Sequence, residues 1–289
     1  MTKSVVLADP RGFCAGVDRA ILTVQTILKA AEASGKRTRE DGLPPVYVRR
    51  QIVHNKHVVE DLAGQGAVFV QELAEIPDAA AQAGIPVVFS AHGVSPVVKA
   101  EAERRGMHVV DATCPLVGKV HREVLRFVRE GYEIVYIGHK GHDEAVGVVG
   151  ESPEHVHLIE HESDVDSLDF APDTKLVLLS QTTLSVDETA DTIAGSANSS
   201  NSVRLMEVAQ EGLGERGKAY RVDDASELDP AWFEGLESVG ISSGASVPDE
   251  LVSGVIDALQ NLGFTGMKSV ETIKENMHFV LPAELRRKK

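Results

Sequence analysis

The sequence predicts an α/β protein built on parallel sheets. Short β-branched and apolar runs alternate with longer helical stretches along almost the whole chain, as crossover helices between parallel strands require. Three segments, ADPRGFCAGVDRAI, VDATCPLVGKVHREV and LLSQTTLSVDETA, each run strand, short loop, helix. Any α/β protein repeats that unit, but a shared central site at the strand ends is the sharper reading.

In chain order, Ser4–Ala8 is the first apolar strand, and Val17–Ala33 carries the first helical period after the loop PRGFC. The polar stretch Glu32–Pro45 (EASGKRTREDGLPP) is a surface loop leading to the strand Val46–Val48. A helix at Lys56–Gln65 and a strand at Val87–Ser90 follow. Pro96–Arg105 opens on a proline, which suits a first helical turn, and His108–Asp111 returns to a strand. Leu116–Glu130 is helical, and Ile134–Ile137, His155–Ile159 and Leu176–Ser180 are strands. Ser185 and Glu188 form a capping box ahead of a helix at Val186–Ile193. Ser200–Glu211 is helical, Tyr220–Val222 and Val239–Ser242 are strands, and Asp249–Leu262 is a helix preceded by Pro248. The basic tail Arg286–Lys289 is expected to be frayed.

With 289 residues the chain is sized for two or three domains. Its hydrophobic fraction of 43% is enough to bury a core. A net charge of −15 excludes a general nucleic-acid binder, which needs a basic face, yet leaves room for a locally positive pocket for a small anion. No run approaches a membrane span and no signal-peptide pattern opens the chain, so a cytoplasmic, soluble protein is expected. Two cysteines make no disulfide framework. They are read as metal ligands, a redox pair or buried apolar residues.

Cys14 and Cys114 each follow a strand and precede a helix, where partial positive charge favours the thiolate that metals require. His54, His92 and His142 lie in loops at or after strand ends, as solvated residues or as site residues. The spacing His139, His142, Glu144 is also compatible with zinc. Glu144 is either a helix-start carboxylate or, if burial raises its pKa, a proton donor. SANSSNS (Ser196–Ser202) and SSGASVPD (Ser242–Asp249) lead into helices and offer amides and hydroxyls for N-caps or phosphate.

Taken in order, PRGFCAGVDRAI, QIVHN, SAHGVS, DATCPLV, GHKGHDE, QTTLSVDET, NSSNS, GASVPD and the terminal LPAELR resemble the LytB family of 4-hydroxy-3-methylbut-2-enyl diphosphate reductases. The resemblance covers nearly the whole chain. It implies three similar α/β units around a central 4Fe–4S cluster pocket, here 1–113, 114–193 and 194–289. It implies that Cys14 and Cys114 are cluster ligands. His54, His92, His142, Ser199, Ser200, Asn201 and Ser246 would bind substrate, largely at its diphosphate. Thr182 would contact the substrate hydroxyl, and Glu144 would donate or relay a proton. The implied reaction removes the allylic hydroxyl to give isopentenyl and dimethylallyl diphosphates, with electrons from a ferredoxin or flavodoxin.

One segment departs from the family pattern. A strand–helix–strand stretch carrying a third cysteine, in a segment resembling DDICYATTNRQ, is missing between Ile193 and Gly195. The third unit is therefore expected to be shortened, with an exposed sheet edge. The alternative function that follows is a cluster-deficient paralog that only binds isoprenoid diphosphates.

Overall fold

The computed structural model describes residues 2–9, 11–36, 41–184, 206, 209–214, 217–245, 247–271 and 277–286. Among them the chain runs β1 (Ser4–Asp9), α1 (Ala15–Ala33), β2 (Val46–Arg49), α2 (Lys56–Gly64), β3 (Ala67–Val70), α3 (Asp78–Gln82), β4 (Pro86–Phe89), α4 (Pro96–Arg104), β5 (His108–Asp111), α5 (Pro115–Arg129), β6 (Glu133–Ile137), α6 (Asp143–Val149), β7 (Val156–Ile159), α7 (Glu162–Val165), β8 (Leu176–Ser180), β9 (Ser238–Ile241), α8 (Asp249–Asn261) and β10 (Gly266–Glu271). The strands form three sheets with orders β10-β1-β9, β3-β2-β4-β5 and β7-β6-β8. Every strand pairing in them is parallel. The expected α/β class with three parallel-sheet units is therefore what the chain adopts.

The chain divides into two compact units. One comprises Met1–Ala15 with Ser199–His278; the other comprises Gly16–Asn198 with Phe279–Lys289. In the first, Val5 and Leu7 of β1 pack with Phe233, Leu259 and Phe264. In the second, Tyr47, Val87 and Phe89 of the four-stranded sheet share a core with Val70, Leu73, Ile76 and Ile85. A separate core joins Val124 of α5 to Ile134, Tyr136, Ala145, Val148 and Val156. The buried positions of α5 are Val117, His121 and Val124, the i, i+4, i+7 stripe of a helix lying on a sheet. β2 is buried at all four positions, as the inner strand of a parallel sheet covered on both faces must be.

The sheets do not follow the linear partition 1–113, 114–193 and 194–289. β1 pairs with β9 on one side and β10 on the other, so the N-terminal strand belongs with the C-terminal region. Parallel pairing needs a crossover connection but sets no upper limit on its length. Tyr220–Val222 is not a strand; the Tyr220 ring stacks on Trp232 with centroids 4.0 Å apart, so its apolar surface is used in a ring contact. β3 and β10 were not expected. β10 reads GMKSVE, is exposed at most positions, and has the mixed polarity of an edge strand. The helix at Val186–Ile193, its capping box, most of Ser200–Glu211 and the junction at 193–195 lie outside the described residues.

Candidate functional site

In parallel sheets the loops at the C-terminal strand ends gather to one side, and the expected site residues lie in those loops. Within the larger unit, His54 follows β2, His92 follows β4, Cys114 follows β5, His142 follows β6 and Thr182 follows β8. The structure brings His54, His92 and His142 together. The His54 and His92 rings stack at 4.1 Å between centroids, and His142 stands edge-on to them at 4.7 and 5.3 Å. One ring nitrogen from each lies within 4.8 Å of the others.

Hydrogen bonding decides which chemistry the trio suits. His142 caps α6, its Nδ1 accepting the Glu144 backbone N–H at 3.1 Å. That lone pair is committed, so in the neutral ring the proton sits on Nε2. The His142 Nε2 lies 3.0 Å from His54 Nε2, which makes His54 the acceptor there. His92 is buried, and its Nε2 has no hydrogen-bond partner among the described residues. A trio holding an N–H donor and an unsatisfied ring nitrogen suits an anion better than a metal ion, which needs a lone pair from each ligand.

Burial also holds all three imidazoles neutral. It pulls His92 down to about 2, reinforced by the neighbouring His54 and His142. It pulls His142 down to about 4, with His54 adding to the effect and Asp143 opposing it. His54 is lowered by desolvation against the pull of Asp143. An entering anion would reverse this balance by favouring the charged rings.

Arg50 ties the His54 loop to the His142 cap, bonding Asp143 through one guanidinium nitrogen and Glu72 at 3.1 Å through another. Its backbone has φ +56°, an uncommon conformation for a residue with a side chain. Arg50 and Asp143 escaped the sequence reading, because a lone charged residue in a loop or first helical turn carries no pattern.

Glu144 and Thr182 form the second part of the site. Glu144 is fully buried. It accepts the Thr182 backbone N–H at 2.7 Å and the Thr182 hydroxyl at 2.9 Å. Burial raises its pKa, opposed by those two bonds and by His121 and Tyr136. The carboxyl is thus poised to carry a proton beside an exposed threonine. Gln181 supports this arrangement: it is buried, accepts the His139 N–H at 3.1 Å and donates to Thr183 at 2.5 Å. His139 itself pairs with Glu160 at 3.2 Å. It stands outside the three-histidine group, so the zinc reading built on His139 and His142 loses a ligand.

Cys114 caps α5 ahead of Pro115, and its backbone N–H bonds the carbonyl of Ala91, next to His92. In the smaller unit, the Cys14 N–H bonds the carbonyl of Ala245 at 3.1 Å and the Gly12 N–H bonds the Ser243 hydroxyl at 2.9 Å. Gly12 has φ +79°, and a Cβ there would meet the Asp249 carboxylate at 3.2 Å. The PRGFC and SSGAS loops therefore need glycine to approach. Neither cysteine forms a disulfide with the other, and both are partly buried. Their positions before helix N-termini suit thiolate ligation of an iron–sulfur cluster, but the sequence offers only two thiols where a cluster is usually held by more. Ser199, Ser200, Asn201 and Ser246 lie outside the described residues.

Comparison with known proteins bears on this arrangement. The family model described as LytB protein matches residues 5–194 and 192–260. The two matches overlap at residues 192–194. The chain is 88% identical to the 4-hydroxy-3-methylbut-2-enyl diphosphate reductase of Bifidobacterium longum, covering 100% of this chain and 94% of that one. It is 47% identical to the reductase of that name from Rhodococcus opacus, covering 98% and 91%. A solved structure of the E-1-hydroxy-2-methyl-but-2-enyl-4-diphosphate reductase from Plasmodium falciparum superposes with a TM-score of 0.85 at 30% identity, covering 99% of this chain and 97% of that one.

Proposed function

Since this chain belongs to the LytB protein family, we propose that it removes the allylic hydroxyl of 4-hydroxy-3-methylbut-2-enyl diphosphate by reduction. The carbon–oxygen bond breaks and water leaves. Two electrons and two protons are consumed, and isopentenyl and dimethylallyl diphosphates result. The observation that carries the reading is the presence of a three-imidazole cluster and a buried carboxyl bonded to Thr182 in one unit.

His54, His92 and His142 hold the diphosphate. The buried Nε2 of His92 gains a partner, and His54 and His142, whose Nε2 atoms face each other, take up protons as the anion enters. Ser199, Ser200, Asn201 and Ser246 join them on the strength of their motifs. Thr182 positions the substrate hydroxyl. Glu144, bonded to the Thr182 hydroxyl, passes the proton that lets the oxygen leave as water. Burial of Glu144 matches this task, because it raises the carboxyl pKa and so favours the proton-carrying form.

Cys14 and Cys114 are ligands of a 4Fe–4S cluster, which supplies electrons received from a ferredoxin- or flavodoxin-like donor. Two thiols leave that ligand set short of the usual number, so the completing ligand is of another residue type or from another molecule. The test is anaerobic incubation of the reconstituted chain with substrate and a low-potential reductant. Both isoprenoid diphosphates should appear. Substrate recovered unchanged from protein that binds it would leave the binding-only reading in place.

A further inference from the structure

Behind the site lies a buried pair that the proposed mechanism does not use. His121, on the inner face of α5, bonds Glu151, just beyond α6, through Nδ1 at 2.6 Å. The two side chains are 8% and 6% exposed. The other ring nitrogen of His121, Nε2, is buried without a partner among the described residues.

The surroundings of that ring are informative. A Cβ on Gly93 would come within 3.0 Å of Nε2, and a Cβ on Gly147 within 3.3 Å of Cε1. Gly93 adjoins His92. Gly147 lies three residues after Glu144 on α6, hence on the same helix face. One imidazole therefore fills the space between the loop that carries His92 and the helix that carries Glu144. Both backbones approach so closely that a Cβ at either glycine would crowd the ring. The titratable groups shown beside this ring are Glu151, beyond the end of α6, and Glu144 on α6; the His92 loop meets it through Gly93.

From this geometry we infer that His121, held by Glu151, is a positioning residue that sets the His92 loop and the Glu144 helix against each other. Glu151 fixes the ring through Nδ1, and the ring body spaces the two elements. The pull of His121 on the Glu144 carboxyl agrees with that proximity. The inference goes beyond the proposed function in concerning a residue that touches no substrate. It rests on that reading only for the part His92 and Glu144 play.

The test compares the full chain with His121→Asn and Glu151→Gln. Asparagine keeps a polar atom near the position of Nδ1 but removes the ring body; glutamine keeps the shape of Glu151 and removes its charge. The first readout needs no ligand: NMR signals of the His92 ring and the Glu144 carboxyl, followed through pH. The second is affinity for inorganic diphosphate. His121→Asn should move both NMR titrations and weaken diphosphate about tenfold, a differential of ~1.4 kcal/mol. Glu151→Gln should move them in the same sense by less. His92 and Glu144 signals that titrate as in the wild type in His121→Asn would overturn the inference, whatever happens to thermal stability. If those signals move but the wild type does not bind diphosphate, the positioning role stands and the functional reading falls.

Discussion

Replacing Glu144 by glutamine separates the chemistry of this site from its architecture. The carboxylate accepts two bonds from Thr182, at 2.7 Å from the amide and 2.9 Å from the hydroxyl. Glutamine has nearly the same shape. Its oxygen can keep the amide bond, and its NH2 can donate to the threonine oxygen once the hydroxyl rotates. What is lost is the charge-assisted share of two bonds, about 1–2 kcal/mol. What is gained is relief from burying a charge, ~1.4 kcal/mol for each unit by which burial raises the pKa. The two offset, so stability near neutrality should change by no more than about 1 kcal/mol.

The pH dependence gives the sign. Between the ordinary carboxyl pKa and the raised folded one, the native state binds more protons than the unfolded state, so wild-type stability falls as pH rises through that window. Glu144→Gln should lack this component. Denaturant unfolding across the window, with anaerobic product formation, makes the assay. Turnover should fall about 10²- to 10⁴-fold, the usual worth of a positioned acid. A stability loss above about 3 kcal/mol would make Glu144 a structural anchor, beyond what lost hydrogen bonds explain. Wild-type turnover would remove its proton role.

Other perturbations test neighbouring parts of the site. Thr182→Val removes the hydroxyl from a buried carboxylate while leaving the amide bond, and should cost about 1–3 kcal/mol by equilibrium unfolding and raise the Glu144 pKa. Gly93→Ala forces a side chain into a φ of +78°, with a Cβ 3.0 Å from His121 Nε2. It should destabilise by at least about 1 kcal/mol in the same measurement and weaken diphosphate binding. Acid should act through the histidines. Their folded pKa values are lowered, to about 2 for His92 and about 4 for His142, so the unfolded state takes up protons first. Stability should therefore decline as pH drops through about 6.5 and below, and His92→Gln should flatten that decline.

The parts of this protein that were legible in the sequence are those with a periodic or compositional mark. Alternating apolar runs placed β1, β2, β4, β5 and the helices α1, α4, α5 and α8 within a few residues of where they stand. β10 was missed because an edge strand with polar residues has no period-2 signature. The pairing of β1 with β9 and β10 could not be read, since strand order is a long-range choice with no local mark. His54, His92 and His142 were singled out by their loops near strand ends and Thr182 by the family resemblance; the fold clusters the three rings and bonds Thr182 to Glu144. His121, Glu151, Arg50 and Gln181 were not singled out, because their roles come from the neighbours the fold supplies. His121 reads in sequence as one more core position of an amphipathic helix; only its orphaned Nε2 and the two glycines against it set it apart.

The most direct test of the account is a calorimetric titration of the full chain with inorganic diphosphate, in two buffers of different ionisation enthalpy, for wild type and His92→Ala. The account predicts saturable binding of one diphosphate per chain with net proton uptake, as neutral imidazoles charge around the anion, and a marked loss of both in the variant. Binding without proton uptake, or binding unchanged by His92→Ala, would contradict the claim that the three histidines form the anion site.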